Sequence, residues 1–290
     1  MTTGGERRPL AEELAAARAA GAAAGLAAAR PELLHLGHHS SFRLDPWPVV
    51  ARVASGGSFD GSDAGLAREL AVARHLAERG APAVRPFAAA AAAAAADRPW
   101  QGAGCGVTLW ALVEGRTAET AAEIRAAADA LVLVHAALDD FAGSLPPLAD
   151  KLEGCAAILA DPARTPRLAA ADRAFLAREV ERLGRAIGVA GGRDRPLHGD
   201  AHLGNVLVGA AGAVWLDFES ACRGPLEWDV ASLPATAWPR FPAAEPRLLR
   251  LMGELRSLCV ATWCWAEYER SAASAEAAAY HLALLRGRSA

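Results

Sequence analysis

His198-Gly199-Asp200-Ala201-His202-Leu203-Gly204-Asn205, continued by Val206-Leu207-Val208 and then by Val214-Trp215-Leu216-Asp217-Phe218-Glu219, is the stretch on which the reading of this chain turns. Two short apolar runs, 206–208 and 213–216, flank Gly209 to Gly212 and read as a hairpin. Asp200 and Asn205 then sit on the loop entering the hairpin, and Asp217 at its exit. One acid is placed to meet a hydroxyl, while an Asn and a second acid are placed to meet a divalent cation. Phosphoryl transfer calls for such an arrangement, because its work is positioning and the neutralising of charge on phosphate oxygens. The bland alternative is a set of polar loop residues satisfying their own backbone. A lone H-x-D would be read that way. His198, Asp200, Asn205 and Asp217 at this spacing favour the chemical reading.

The segment 198–219 resembles the catalytic and metal-binding loops of the aminoglycoside phosphotransferase family, distant relatives of protein kinases. The resemblance implies that Asp200 is the catalytic base and that Asn205 and Asp217 are magnesium ligands. It also implies a nucleoside triphosphate donor, ATP or GTP, and Mg2+ as the cofactors. The implied fold is α+β and two-lobed, protein-kinase-like, with a small antiparallel-sheet N-lobe and a mostly helical C-lobe. Residues 1–113 would form the nucleotide-binding lobe and 114–290 the catalytic and substrate-binding lobe. The order of features fits over nearly the whole chain, although the specific motif lies in the C-terminal lobe.

At 290 residues the chain can bury a large core and is long enough for two lobes. A net charge of −3 gives no basic footprint for nucleic acid. Lys151 is the only lysine among 30 basic residues, a bias that weakens any inference from finding Arg where a relative has Lys. The five cysteines are scattered and lack a C-x-x-C pair, which suits free thiols in a reducing cytosol. No run of about 18 strongly apolar residues suggests a membrane span. Arg7-Arg8 before an alanine-rich run imitates an export signal, but Glu12, Glu13 and Arg18 stand where its apolar centre should be. A soluble, cytoplasmic protein without nucleic-acid or membrane partners is expected, its oligomeric state left open.

In the first lobe, residues 9–30 read as a helix ended by Arg30-Pro31. Three strands follow, Leu33 to Leu36, Ser41 to Leu44 and Val49 to Ala54, with Asp45-Pro46-Trp47-Pro48 as a turn. Gly37-His38-His39-Ser40-Ser41 lies where the family would place a loop over nucleotide phosphates, so Gly37, Ser40 and Ser41 are candidate phosphate contacts. His35, His38 and His39 lack an accompanying cysteine or carboxylate cluster and are not read as a metal site. After the Gly/Ser-rich residues 55–61, a helix is expected from about Asp63 to Glu78, capped by Ser62 or Asp63. Glu69 falls in its apolar stripe with Leu66, Leu70, Ala73 and Leu76, so it should face the fold and require a cation. Arg52 on the third strand is the natural partner. In the kinase pattern a strand lysine pairs with a helix glutamate and contacts nucleotide phosphates, and Arg52 and Glu69 match those positions. The alternative is a solvated Glu69 paired with Arg68 or Arg74. The alanine run 88–96 is assigned no function. Val107 to Val113 closes the lobe, and backbone groups near 109–113 are where the family would meet adenine.

The second lobe reads as helices over 118–138 and near 150–160, 168–188, 245–269 and 274–286. His135 is read as a core histidine, and Asp139-Asp140 as a solvated helix end or part of a cationic-substrate site. Only a short segment separates Asp217 from Glu227-Trp228-Asp229, which opens a helix. Protein kinases carry a long activation segment ending in A-P-E there, to hold a peptide. Its absence points to a small-molecule hydroxyl acceptor. Asp229 resembles a family position that buttresses the catalytic loop through backbone hydrogen bonds, and Glu227 reads as a solvated helix-terminal acid. His198 and His202 read as loop-shaping residues. The acceptor could be aminoglycoside-like, or choline, a sugar amine or homoserine. A nucleotide-binding regulator without turnover is the competing class.

Overall fold

The alanine-rich start of the chain forms α1 (Leu10–Ala23), shorter than the expected helix over 9–30. Its end has a local cause. Gly25 adopts φ +80°, the Leu26 N–H donates to the Gly21 carbonyl at 2.9 Å, and the Gly25 N–H donates to Ala22 at 3.0 Å. That pair of bonds is a Schellman stop, in which glycine supplies the left-handed residue without steric penalty. The expectation missed it because Gly25 sits among alanines that would all continue a helix.

The computed structural model of the protein describes residues 9–37, 39–54, 63–87, 99–102, 105–269 and 271–289. The expected loop at 55–61, the Ser62 or Asp63 cap, the alanine run 88–96 and His38 lie outside the described residues or side chains. The chain divides into two units, Met1–Leu145 with His202–Ala221, and Pro146–Ala201 with Cys222–Ala290. No helix among the described residues is long and apolar enough to cross a membrane.

In the first unit, β1 (Arg30–Leu36), β2 (His39–Asp45), β3 (Val49–Ala54), β4 (Trp100–Gly102) and β5 (Cys105–Ala111) form an antiparallel sheet of order β1-β2-β3-β5-β4. Phe42, Leu44, Val49, Ala51 and Val53 pack with Ala16, Ala17 and Ala20 of α1. Small alanines let that helix approach the sheet closely. α2 (Asp63–Glu78) buries Leu66, Leu70, Ala73 and Leu76, the stripe expected from the sequence. α3 (Ala121–Leu138) starts at a capping box, in which Thr120 Oγ1 accepts the Glu123 N–H and the Glu123 carboxylate accepts the Thr120 N–H. The Thr120 and Glu119 N–H groups donate hydrogen bonds to the Glu123 carboxylate and hold its carboxyl down at about 2. His135 is buried on α3, as expected. Asp140, just beyond the helix, takes the Arg79 Nε at 2.9 Å, which ties the end of α3 to the end of α2.

β6 (Arg116–Thr117), β8 (Val206–Gly209) and β9 (Gly212–Trp215) form a second small sheet, and β8 with β9 is the hairpin read from the two apolar runs. A Cβ at Gly209 would stand 2.3 Å from the Glu114 carbonyl oxygen, so the approach of the hairpin to the 114–116 segment requires glycine there. Trp215 anchors the hairpin. It is fully buried, its backbone bonds to Pro82 and Val84, and its indole N–H donates to the Ala127 carbonyl at 3.0 Å.

The second unit holds α4 (Ala149–Ala160), α5 (Ala170–Ala190), α6 (Glu227–Val230), α7 (Pro246–Ala266) and α8 (Ala272–Ser289), with the strand pair β7 (Arg195–Leu197) and β10 (Cys222–Gly224). Leu159, Leu176, Leu183, Met252, Leu255, Leu258 and Leu285 share one core. Glu227 departs from expectation. It is buried, 6% exposed, and accepts the Glu245 N–H at 2.8 Å rather than facing solvent. A carboxylate at the start of α6 thus steadies the residue that caps α7, where Glu245 accepts the Arg247 and Leu248 amides.

Candidate functional site

The pleat of β2 and β3 sorts the polar residues of the larger sheet. With Phe42, Ala51 and Val53 in the α1 core, residues one step along face the opposite side. Arg52 stands on that side, across from Ser41 of β2 and Thr108 of β5. Ser40 falls in the other set: it is fully buried, and its hydroxyl donates to the buried Glu13 of α1. The expectation that Ser40 and Ser41 offer their hydroxyls together is corrected by the pleat, since strand neighbours point to opposite faces. Gly37 lies in the turn between β1 and β2, its N–H donating to the His39 carbonyl at 3.2 Å.

Arg52 is the centre of a charged cluster. Its Nη1 donates to Glu69, while Nη2 donates to Asp217 Oδ1 at 2.9 Å and to Glu219 Oε2 at 3.0 Å. Glu69 is 1% exposed, so the solvated alternative with Arg68 or Arg74 does not describe it. Glu219 is also bonded to His39 Nε2 at 2.6 Å, and its carbonyl accepts the Arg68 Nη2 at 2.8 Å. Burial opposes the charge on Arg52, but Asp217, Glu69 and Glu219 outweigh it and hold the guanidinium above its ordinary value. Burial pushes the Glu69 carboxyl up to about 8, against the pull of Arg52 in the other direction. With Glu69 pushed toward its neutral form, Asp217 and Glu219 are the two acids that share Nη2 of Arg52, and both are oxygen donors of the kind a divalent cation takes.

The hairpin brings the Asn205 and Asp217 segments together. The Leu216 N–H donates to the Asn205 carbonyl at 2.8 Å, and Asn205 closes a 3-10 turn, Leu203–Asn205, on the His202 carbonyl at 2.9 Å. His202 caps that turn by accepting the Gly204 N–H at 3.0 Å. Asp217 has φ +64°, a left-handed conformation uncommon for residues other than glycine and best tolerated by Asn and Asp. Its carboxylate is one-third exposed. Oxygen donors of this kind suit Mg2+, which keeps water and phosphate oxygens among its ligands.

In the second unit, the loop carrying Asp200 is fixed from below. Asp229 accepts the His198 and Gly199 amides, each at 2.9 Å, as the resemblance implies for that position. The Trp228 indole N–H donates to the Gly199 carbonyl at 2.8 Å. Gly199 has φ +84°, so glycine is needed for the chain to turn there. Hydrogen bonds to a charged group contribute about 1.5–3 kcal/mol each, enough to set the loop before any substrate arrives. His198 shapes the loop by accepting the Asp200 N–H at 3.3 Å. The Asp200 carboxylate is 35% exposed, with Oδ1 facing Arg256 Nη1 of α7 at 3.2 Å.

Sequence reasoning missed Glu219 and Arg256. Glu219 had a signal, because it lies two residues beyond Asp217. Arg256 had none: it is 56 residues from Asp200 on a helix whose register no motif fixes.

A sequence model described as the phosphotransferase enzyme family matches residues 38–270. No curated protein sequence matches the chain at a significant level. Among solved structures, a choline/ethanolamine kinase family protein from Mesorhizobium loti is 15% identical with a TM-score of 0.64, covering 91% of this chain and 90% of that one. An amicoumacin kinase in complex with AMP-PNP and Ca2+ is 11% identical with a TM-score of 0.67, covering 89% and 88%. An aminoglycoside phosphotransferase from Streptomyces rimosus is 21% identical with a TM-score of 0.58, covering 86% and 98%. These likenesses show the kinase-like, two-lobed α+β fold.

Proposed function

Because the chain belongs to the phosphotransferase enzyme family, we propose that it transfers the terminal phosphoryl group of a nucleoside triphosphate, ATP or GTP, to a hydroxyl of a small molecule. The observation that carries this reading is the buried Arg52–Glu69 pair sharing its guanidinium with Asp217. Arg52 engages the donor phosphates and Glu69 holds it in place. Asp217 and Asn205 hold magnesium, which when bound neutralises charge on the phosphate oxygens. Asp200 receives the acceptor's hydroxyl proton. Ser41, on the Arg52 face of the sheet, and the backbone around Gly37 are left as the phosphate contacts of the β1–β2 turn. The reaction is assigned to the cytoplasm, in keeping with five cysteines that form no disulfide.

The amicoumacin kinase structure, with its nucleotide analogue and divalent cation, supports the donor and metal assignment. The choline/ethanolamine and aminoglycoside proteins support a small hydroxyl compound as acceptor. A nucleotide-binding regulator is the second reading. It is favoured by the lone glycine, Gly37, in the segment 37–41, where the family would place its phosphate loop, and by arginine at position 52 where the kinase pattern has lysine.

Phosphoryl transfer from labelled ATP and GTP, with magnesium and a panel of hydroxyl-bearing amines, sugars and antibiotics, tests the proposal. Acceptor-dependent release of the diphosphate is the expected result. Binding of nucleotide with no transfer to any compound favours the regulator. The role of Arg52 has its own test. Arg52→Ala and Glu69→Ala should each weaken nucleotide binding and slow turnover, and the double variant should be little worse than either, because the pair acts as one unit. Additive losses in the double variant would separate the two residues. Arg52→Lys should also lose activity, since a single ammonium cannot keep the spread of contacts that the guanidinium makes to Glu69, Asp217 and Glu219.

A further inference from the structure

Arg256 approaches Asp200 in a way that leaves half of its guanidinium unused. Nη1 alone donates to both Asp200 Oδ1 at 3.2 Å and Ser232 Oγ at 3.0 Å. Nε and Nη2, which form the side-on edge of the fork, make no hydrogen bond among the described residues, and the side chain keeps 19% of its surface exposed. A second cation lies nearby. Lys151 of α4 sits over the rings of Trp228 and Trp263, 5.6 and 5.7 Å from their centroids, and Trp228 is the residue whose indole holds the Gly199 carbonyl.

Three acids of this unit have partners of their own. Asp229 holds the His198 and Gly199 amides, Glu227 the Glu245 amide, and Glu254 the Arg182 guanidinium. An ammonium group brought to Asp200 meets a carboxylate that already faces the Arg256 guanidinium. A carboxylate brought there meets a planar pair of free N–H donors matched to its two oxygens.

Resting on the phosphotransferase reading, we propose that Arg256 is a specificity-determining residue and that the acceptor is a hydroxy acid. The acceptor carboxylate occupies the Nε–Nη2 edge of Arg256, and its hydroxyl, a few bonds away, meets Asp200. In the transfer the hydroxyl proton passes to the Asp200 carboxylate, and the hydroxyl oxygen bonds to the terminal phosphorus of the nucleoside triphosphate. The bond from that phosphorus to the bridging oxygen breaks. Nucleoside diphosphate and a phosphorylated hydroxy acid result.

The test uses glycerate, malate and 3-hydroxybutyrate against glycerol 3-phosphate, ethanolamine and kanamycin. Binding is measured by calorimetry with a non-hydrolysable triphosphate and magnesium, and transfer is measured with ATP and GTP. At least one hydroxy acid should bind and be phosphorylated in preference to the amines. Its affinity should fall about 10–10²-fold in Arg256→Gln, the loss of a charged hydrogen-bonding group, and recover in part in Arg256→Lys. Hydroxy acids that neither bind nor react overturn the proposal, as does a preference for the phosphate ester. Amines phosphorylated while acids are ignored overturn it too, and leave the phosphotransferase reading intact. Arg256-dependent binding of a hydroxy acid without transfer to it overturns the acceptor assignment together with the transfer reading, and leaves Arg256 only as a carboxylate-binding group. A uniform fall in kcat for all acceptors with unchanged acceptor affinity reduces Arg256 to a positioning residue and also overturns it.

Discussion

Asp200→Asn should lower turnover by roughly 10²–10⁴-fold, the usual contribution of a positioned general base, while nucleotide affinity hardly changes. The substitution keeps the size and shape of the side chain and removes its ability to take a proton. The loop around it should stay as it is, because its geometry comes from elsewhere: the two Asp229 bonds, the Trp228 bond to Gly199 and the positive φ of Gly199 involve none of the Asp200 carboxylate. Arg256 keeps a polar partner in the amide oxygen, so the local charge pair weakens without leaving a buried group unpaired. Steady-state turnover and calorimetric nucleotide affinity, measured on one preparation of the variant and wild type, separate the two effects. Unaltered turnover would remove Asp200 from the mechanism. An equal fall in nucleotide affinity would make the residue part of the donor site and not the base.

What could be read from the sequence, and what could not, divides along physical lines. The β8–β9 hairpin was legible because two apolar runs around a glycine-bounded turn have few other ways to fold, and the spacing from Asp200 to Asp217 follows from it. Glu69 was legible because a charge inside an apolar helical stripe requires a partner, and the structure supplies Arg52. The family resemblance placed the fold. Three kinds of feature escaped. The end of α1 depended on one glycine adopting a left-handed conformation amid alanines, where helix propensity gives no warning. Ser40 was grouped with Ser41 by adjacency, although a strand separates such neighbours by the full thickness of the sheet, and only the register of β2 against β3 decides which one faces Arg52. Glu227 and Arg256 depend on tertiary contacts across 18 and 56 residues, and nothing local announces either.

Asp217→Ala should abolish magnesium-dependent nucleotide binding and leave the fold in place. Loss of a direct metal ligand should exceed the roughly 10–100-fold typical of removing a group that merely orients one. The fold should survive because Arg52 retains Glu69 and Glu219, and the hairpin is anchored by Trp215 and by the Leu216 bond to Asn205. The backbone at 217 is the complication. Its φ of +64° is uncomfortable for alanine, so Asp217→Ala should lose about 1–2 kcal/mol of stability from that source as well. Asp217→Asn is the companion variant, since asparagine accepts the left-handed conformation while losing the anionic oxygen. If Asp217 is a metal ligand, the two variants should differ in stability yet share the loss of magnesium dependence. Calorimetric titration of nucleotide with and without magnesium, alongside thermal unfolding of each protein, makes that comparison. Should both variants show the magnesium dependence of the wild type, Asp217 would be only the partner of Arg52, and the metal would have to be held by other groups.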